Sequence, residues 1–194
     1  MVMNMLKKAL VEHCSPTLAG IKTGNMFSVY NDSTDTIEEI RKLNRIMTRK
    51  GLCLIPLKKT QRSTLVYLYR PNLLERDLDL PEAEEILEKK GYPCGNTGCC
   101  IAHLVRHIME DEQFPHEIGL FLGYPPSDVR GFMEDSRKGV KCSGCWKVYG
   151  KECEAKKLFD KYEKCREIYC EEIRKGKPLE ALIVDTRKGL RPAI

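Results

Sequence analysis

The chain has 194 residues, of which 42% are hydrophobic and 31% charged, with a formal net charge of +5. This composition is ordinary for a soluble globular protein, and the longest apolar stretches are far too short to span a bilayer. Lys7, Lys8 and Glu12 interrupt the apolar character of the N-terminus, which argues against a secretory signal peptide. We therefore expect a cytoplasmic protein with no membrane partner.

The first half of the sequence predicts alternating helices and strands. The apolar spacing and the glycine and proline breakers indicate a helix over 3–13, a loop over 14–25, a strand over 26–30 and a helix over 35–51. Two apolar runs separated by a polar turn predict a β-hairpin over 52–70. Pro56 lacks a backbone donor, so its strand is expected at a sheet edge.

The second half is expected to be mostly helical. The patterns predict helices over 81–91, 99–112, 116–124, 127–135 and 152–176, with a short strand over 145–149. The predicted fold class is α+β, as a single compact domain over 1–194. A small, mostly antiparallel sheet from the N-terminal half (1–75) packs with a largely helical C-terminal half (76–194), and two subdomains are the alternative.

Ten cysteines are a high count, and without a secretion signal they are expected as reduced thiols, metal ligands or redox groups. A CxxC pair and a cysteine- and histidine-rich helix together predict a zinc or iron site with the ligand set Cys94, Cys99, His103, His107, Cys142 and Cys145. Cys99, His103 and His107 are spaced i, i+4, i+8 along one side of the helix. The alternative is that the helix cysteines are small buried residues and its histidines are partly exposed.

A reactive thiol is a second hypothesis. Cys99 lies in the first turn of the predicted helix, where the helix dipole lowers a thiol pKa. Cys14 follows His13 in the predicted loop, and His116 is a candidate catalytic partner from a distant part of the chain. The alternative for Cys14 is a loop residue packed against the following strand.

Charge is distributed unevenly. No acidic residue occurs from Ile40 to Leu74, whereas nine basic ones do: Arg41, Lys42, Arg45, Arg49, Lys50, Lys58, Lys59, Arg62 and Arg70. This segment, 40–74, predicts a basic face for an anionic ligand or a protein partner, unless the acidic block over 75–88 neutralises it in the fold. The modest overall charge, and the lack of aromatic residues within the basic helix, argue against nucleic acid.

Trp146 and Tyr149 lie in the stretch "WKVYG". A single tryptophan in a strand is most often structural, and a pocket wall is the alternative role.

Four stretches in order, "HCSPTLAGIKTGNMF", "RPNLLERDL", "FPHEIGLFLGYPPSDVRGF" and "GCWKVYG", resemble a family of small proteins from anaerobic spore-forming bacteria, domain of unknown function 3793. The resemblance runs from about Val11 to about Lys175. It implies no activity, cofactor or catalytic residue, only an association with iron-uptake and flavodoxin gene neighbourhoods. The family pattern before the tryptophan is Cys-Gly-Tyr, whereas this chain has Ser143-Gly144-Cys145, so the CxxC pair is a local variation.

Taken together, these features predict a metal- or thiol-linked accessory protein in the iron or redox physiology of an anaerobe. One alternative is a cysteine-dependent enzyme that uses Cys14 or Cys99. The other is a non-catalytic interaction module that presents the basic face at 40–74, so the sequence leaves open whether the protein is an enzyme.

Overall fold

The computed structural model describes residues 5–30, 36–110 and 113–187. Within these residues it contains nine helices, a three-stranded antiparallel sheet in the N-terminal half and a two-stranded ribbon, which confirms the α+β fold class. The chain divides into two compact units, residues 1–72 with 162–194, and residues 73–161. The organisation as a single domain over 1–194 stays a prediction.

The first unit contains the sheet and four helical segments. Its elements are α1 (Met5–Leu18), β1 (Gly24–Tyr30), α2 (Thr36–Thr48), β2 (Cys53–Lys59), β3 (Ser63–Tyr69), the later part of α8 (Glu152–Arg174), and α9 (Leu179–Leu182). The strand order is β1-β3-β2 with both pairs antiparallel, so the predicted hairpin over 52–70 and the edge position of the Pro56 strand are confirmed. The register of β2 shifts between Pro56 and Lys58, where proline offers no donor.

The core of this unit joins one side of the sheet to helices from both ends of the chain. Alternating side chains of the strands, such as Phe27, Leu54 and Val66, belong to one cluster of buried residues with the apolar side of α1 and with Tyr169 of α8. A strand points alternate side chains to one face, and a helix presents every third or fourth residue, so the two patterns meet in this layer.

Helix α1 is longer than predicted. The predicted loop over 14–25 was wrong at its start, because the helix continues through Pro16 to Leu18. A proline inside a helix costs about 3 kcal/mol, since it removes one backbone hydrogen bond. Cys14 and Leu18, on either side of the proline, are both fully buried in the core, and this burial offsets the cost. The hydroxyl of Ser15 also donates to the carbonyl of Val11 within the helix.

Arg70, directly after β3, is fully buried and binds two separate backbone segments. Its Nε donates to Thr17 O (2.7 Å), and Nη2 donates to Leu18 O (2.8 Å) and Val184 O (2.9 Å). Nη1 donates to Thr186 Oγ1 at 2.9 Å. Burial lowers the pKa of the guanidinium to about 10. The side chain therefore caps the last carbonyls of α1 and ties the C-terminal segment to them.

The basic segment at 40–74 contains two cations with internal roles. Arg70 is buried as described, and Lys50 Nζ donates to the carbonyls of Glu180 (2.6 Å) and Ile183 (3.2 Å). The other seven basic residues are exposed: Arg41, Lys42, Arg45, Arg49, Lys58, Lys59 and Arg62. An anionic ligand or protein partner for this face stays a prediction.

The second unit is built from helices and the short ribbon. Its elements are most of α3 (Pro71–Leu78), α4 (Pro81–Lys89), α5 (Thr97–Glu110), α6 (Ile118–Phe121), α7 (Pro126–Glu134), β4 (Cys142–Ser143), β5 (Lys147–Val148) and the start of α8. Helix α3 was missed by the sequence analysis, although Pro71 occupies the first helical position that proline favours. An ion pair of 2.7 Å between Glu85 and Arg130 joins α4 to α7.

A helix that crosses a membrane must be both long and apolar. Across 5–30, 36–110 and 113–187, none combines the length and the apolar character needed to cross a membrane.

Candidate functional site

The cysteines in α5 and just before it differ in burial. Asn96 Oδ1 accepts the backbone N–H of Cys99 at 3.0 Å, which caps the helix, and the side chain of Cys99 is exposed. Cys100 is buried, as the apolar stripe predicts, and burial raises its pKa. Burial also raises the pKa of Cys94, with further contributions from Glu88 and Glu84. Cys94 and Cys100 are therefore held in the protonated form, which is the weaker nucleophile.

The two histidines of α5 meet an aromatic ring and a buried carboxylate. The ring centroids of His103 and His107 lie 4.3 Å apart, and that of Tyr92 lies 4.4 Å from His103. The Tyr92 hydroxyl donates to Glu117 Oε1 at 3.0 Å, and His107 Nδ1 lies 3.7 Å from the same oxygen. Burial lowers the pKa of His103, and its Nε2 is buried without a hydrogen-bond partner among the described residues.

The predicted metal ligands do not gather in the described part of the chain. Among residues 5–30, 36–110 and 113–187, no three His, Cys, Asp or Glu side chains are grouped as they would be around one metal ion. The zinc or iron site formed by Cys94, Cys99, His103, His107, Cys142 and Cys145 stays a prediction.

The CxxC pair lies in the β4–β5 ribbon. Cys142 pairs with Val148, while Cys145 is exposed in the turn between the strands. The ring of Phe159 occupies the space where a Cβ at Gly144 would lie, so this glycine permits close packing of the turn on α8. Cys142 and the exposed Cys153 both lie near the ammonium of Lys156, and each contributes to its raised pKa after the larger effect of Glu152.

The remaining catalytic candidates occupy very different environments. Cys14 is fully buried within α1, and burial raises the pKa of its thiol, so this residue is part of the core. His116 is exposed in the segment before α6, and its ring meets the ring of Phe132 edge-on with centroids 5.1 Å apart. A role for Cys14, Cys99 or His116 in catalysis stays a prediction.

Asp128, at the start of α7, joins that helix to the ribbon. Its carboxylate is buried, and Oδ2 accepts the indole N–H of Trp146 at 2.7 Å. Oδ1 accepts the backbone N–H groups of Tyr149 (2.9 Å) and Gly150 (2.7 Å). Hydrogen bonds to a charged acceptor are the strong ones, so three donors on one carboxylate hold the two segments in a defined geometry.

Close packing at a helical glycine supports the same junction. A Cβ added at Gly131 of α7 would lie 2.6 Å from Cγ of Tyr149, a distance that real Cβ atoms do not show. The ring of Tyr149 therefore lies directly on the backbone of α7, and only glycine allows this approach.

A pocket of about 290 Å³ opens beside this junction, and we call it the aromatic pocket. Its wall includes Trp146, Tyr124, Phe132, Val129, Ile118 and His116. The rings of Trp146 and Tyr124 are stacked with centroids 4.8 Å apart, and Phe159 packs edge-on to Trp146 at 4.6 Å. Concave sites lined by aromatic side chains with a few polar groups are typical of small-molecule binding.

A second pocket of about 380 Å³, the histidine pocket, has His116 in common with the first. Its wall also includes Lys90, His107, Glu117, Phe114 and Met133. The two pockets are therefore neighbours, and His116 lines both. His107, from the predicted ligand set, and His116, from the catalytic set, both line the histidine pocket.

Sequence reasoning named His107, His116 and Trp146 but missed most of the other residues that build these pockets. It assigned Trp146 a structural role with a pocket wall as the alternative, and the structure shows both, because the indole N–H binds Asp128 while the ring lines the pocket. The density of aromatic residues and glycines in "PPSDVRGF" and "GCWKVYG" was the available signal. Asp128 was not identified, since nothing local marks an acidic residue as buried.

The chain was compared with known proteins. No curated protein and no solved structure matched it. A family model described as "Protein of unknown function (DUF3793)" matches residues 10–183. This match agrees with the resemblance of the four sequence stretches, and the chain belongs to that family.

Proposed function

We propose that the protein binds a small aromatic molecule in the aromatic pocket beside Trp146. The observation that carries the proposal is the stacked pair of Trp146 and Tyr124 in the wall of a cavity that Phe132 also lines. Flat rings favour offset or edge-on contacts with other rings, beyond the gain from burying apolar surface. A ring system in this cavity would find such contacts on more than one side.

The size of the cavity favours a small ligand. Its volume of about 290 Å³ is at the lower end of the range for ligand pockets, about 300–1,000 Å³. The wall is also held in place before any ligand arrives, because Asp128 fixes the indole of Trp146 and Tyr124 donates to the carbonyl of Cys145 at 3.2 Å. A prearranged site loses less conformational entropy on binding.

The polar groups of the wall indicate where a ligand's polar end would lie. Asp128 has three donors on its two oxygens, so its role is to hold the wall. Lys147 Nζ lies 5.5 Å from the centre of the Phe132 ring and donates to the carbonyl of Ser136 at 2.8 Å. His116 is exposed, and its side chain has no hydrogen-bond partner among the described residues. His116 is therefore the group best placed to meet a polar substituent.

Binding can be measured directly, because Trp146 is the one tryptophan of the sequence. Titration with a panel of aromatic fragments that do not absorb at the excitation wavelength should give saturable changes in Trp146 emission. Phe132→Ala should weaken the binding of each hit by about fivefold or more, since one wall of the cavity is removed. Met109→Ala, at an exposed residue of α5, is the control and should bind like the wild type. The proposal fails if no fragment gives a saturable change, or if Phe132→Ala leaves the affinities of the hits unchanged.

We propose, as a second candidate, the metal- or thiol-linked accessory role in iron or redox physiology. The observation that favours it is the placement of the CxxC pair on the β4–β5 ribbon, where Cys142 is half-buried and Cys145 is exposed in the turn. Anaerobic purification followed by elemental analysis and an absorbance spectrum tests this role. The role requires bound zinc or iron, or a thiolate charge-transfer band, that disappears in Cys142→Ser. A metal-free protein with no such band would rule it out.

A further inference from the structure

We propose that the ligand of the aromatic pocket carries an anionic group, a carboxylate or a phosphate, which occupies the histidine pocket. This inference rests on the proposed function and specifies the chemical class of its ligand. The two cavities have His116 in common in their walls, and the ligand we infer is a single molecule with a ring in the aromatic pocket and a short arm in the histidine pocket.

The charges around the histidine pocket favour an anion. The Lys90 ammonium, at the end of α4, has no ion-pair or hydrogen-bond partner within the part of the chain that the structure describes. The adjacent Lys89 differs, because its ammonium is paired with Glu85 at 2.7 Å. Lys90 is therefore a cation in the pocket wall that has no ion-pair partner among residues 5–30, 36–110 and 113–187.

The one carboxylate among the described residues of this wall is already engaged. Glu117 is 3% exposed, and its Oε1 accepts the Tyr92 hydroxyl at 3.0 Å and lies 3.7 Å from His107 Nδ1. This carboxylate is therefore buried and already hydrogen-bonded within the protein. These two contacts also hold the side chains of Tyr92 and His107 against Glu117.

The hydrogen-bonding capacity of the wall leads to the same conclusion. Lys90 offers ammonium donors, and the exposed ring of His116 offers an N–H with no partner among the described residues. A ligand that displaces water from these donors must supply acceptors in its place, and charge-assisted hydrogen bonds to oxyanions are the strongest of these. A carboxylate or phosphate oxygen supplies both the acceptor and the charge.

The test uses one ring system with four substituents: 2-naphthol, 2-naphthoate, 2-naphthyl phosphate and 2-naphthylmethylammonium. Binding to the full chain is measured by calorimetry at constant ionic strength. We expect one or both anions to bind at least about fivefold more tightly than the neutral 2-naphthol, and the ammonium compound to bind most weakly. The comparison of naphthoate with naphthyl phosphate distinguishes the two oxyanions.

Variants locate the effect. Lys90→Gln should remove most of the advantage of the anions and leave the affinity for 2-naphthol unchanged, with an unaltered urea midpoint showing that the fold is intact. Lys89→Gln is the matched control, since that neighbouring lysine is already ion-paired, and it should keep the advantage. If 2-naphthol binds as tightly as the anions, or if Lys90→Gln keeps their advantage, the anionic group is refuted while aromatic binding stands. If none of the four compounds binds, both proposals fail for this ring class.

Discussion

The indole Nε1 of Trp146 donates a hydrogen bond of 2.7 Å to Oδ2 of Asp128, 18 positions earlier in the chain. This bond joins the start of α7 to the β4–β5 ribbon and fixes the ring that forms one wall of the aromatic pocket. The other oxygen of the carboxylate accepts two backbone N–H groups of the segment after β5. Stability and the shape of the pocket therefore depend on the same acidic residue.

Asp128→Asn should reduce the free energy of unfolding by about 1.5–3 kcal/mol. The amide keeps the size of the side chain but loses the negative charge. Its NH₂ group also replaces an acceptor oxygen, so two donors face each other. Urea unfolding followed by circular dichroism measures the change. Asp160→Asn, at an exposed position of α8, removes the same charge and should stay within about 0.5 kcal/mol of the wild type. Equal effects of the two substitutions would contradict this assignment.

Tyr124 should ionise late. Burial, followed by the effect of Cys145, raises the pKa of its hydroxyl to about 12, above the ordinary value near 10. Because the folded state keeps this proton to higher pH than the unfolded state, the tyrosine contributes stability below about pH 10 that is lost as the pH rises towards about 12.

The stacked indole makes this titration visible. We expect the emission of Trp146 to be quenched as the neighbouring tyrosinate forms, with a midpoint near the raised pKa. Tyr124→Phe should lack this transition and should lose less stability over the same pH range. A quenching midpoint close to the ordinary tyrosine value would mean that the hydroxyl is not shielded from water.

Arg70→Lys should destabilise the first unit strongly. The guanidinium serves three carbonyls and one hydroxyl, whereas an ammonium offers three donors from one point and cannot reach the same set. We expect a loss of about 2–4 kcal/mol in urea unfolding, because buried acceptors are left without donors. Arg76→Lys is the control, since its side chain is exposed and paired with Asp77, and it should change stability by less than about 0.5 kcal/mol.

The exposed and the buried cysteines should react differently in native-state alkylation followed by mass spectrometry. Cys99, Cys145 and Cys153 are exposed and should be modified within the first time points. The buried thiols are Cys14, Cys100 and Cys165. They should react only after denaturant is added, since burial both excludes the reagent and, at Cys14 and Cys100, raises the pKa. Rapid modification of Cys14 in the native protein would contradict its burial and would support Cys14 as a nucleophile.

Elements set by local patterns were predictable from the sequence. Helix α2 and the β2–β3 hairpin follow from apolar spacing and turn residues within a few positions of each other. The continuation of α1 through Pro16 was not, because the energy that offsets the proline comes from a core assembled by distant segments. Local preference and tertiary burial disagree there, and burial prevails.

The candidate site shows the same division. The i, i+4 spacing placed His103 and His107 side by side, as their centroid distance of 4.3 Å shows. Their neighbours Tyr92 and Glu117 are 25 positions apart and were not linked by any local pattern. The sequence therefore predicts which residues share a helix face, whereas the residues that contact this face depend on the fold.

The bonds of Arg70 have a consequence for the order in which the protein can be assembled during translation. Its acceptor Val184 is 114 positions later in the chain, beyond the whole of residues 73–161. At typical elongation rates that interval is on the order of ten seconds. Residues 73–161 are therefore fully synthesised before Val184 is available to accept its hydrogen bond from Arg70. The middle of the chain can thus fold before the first unit is complete.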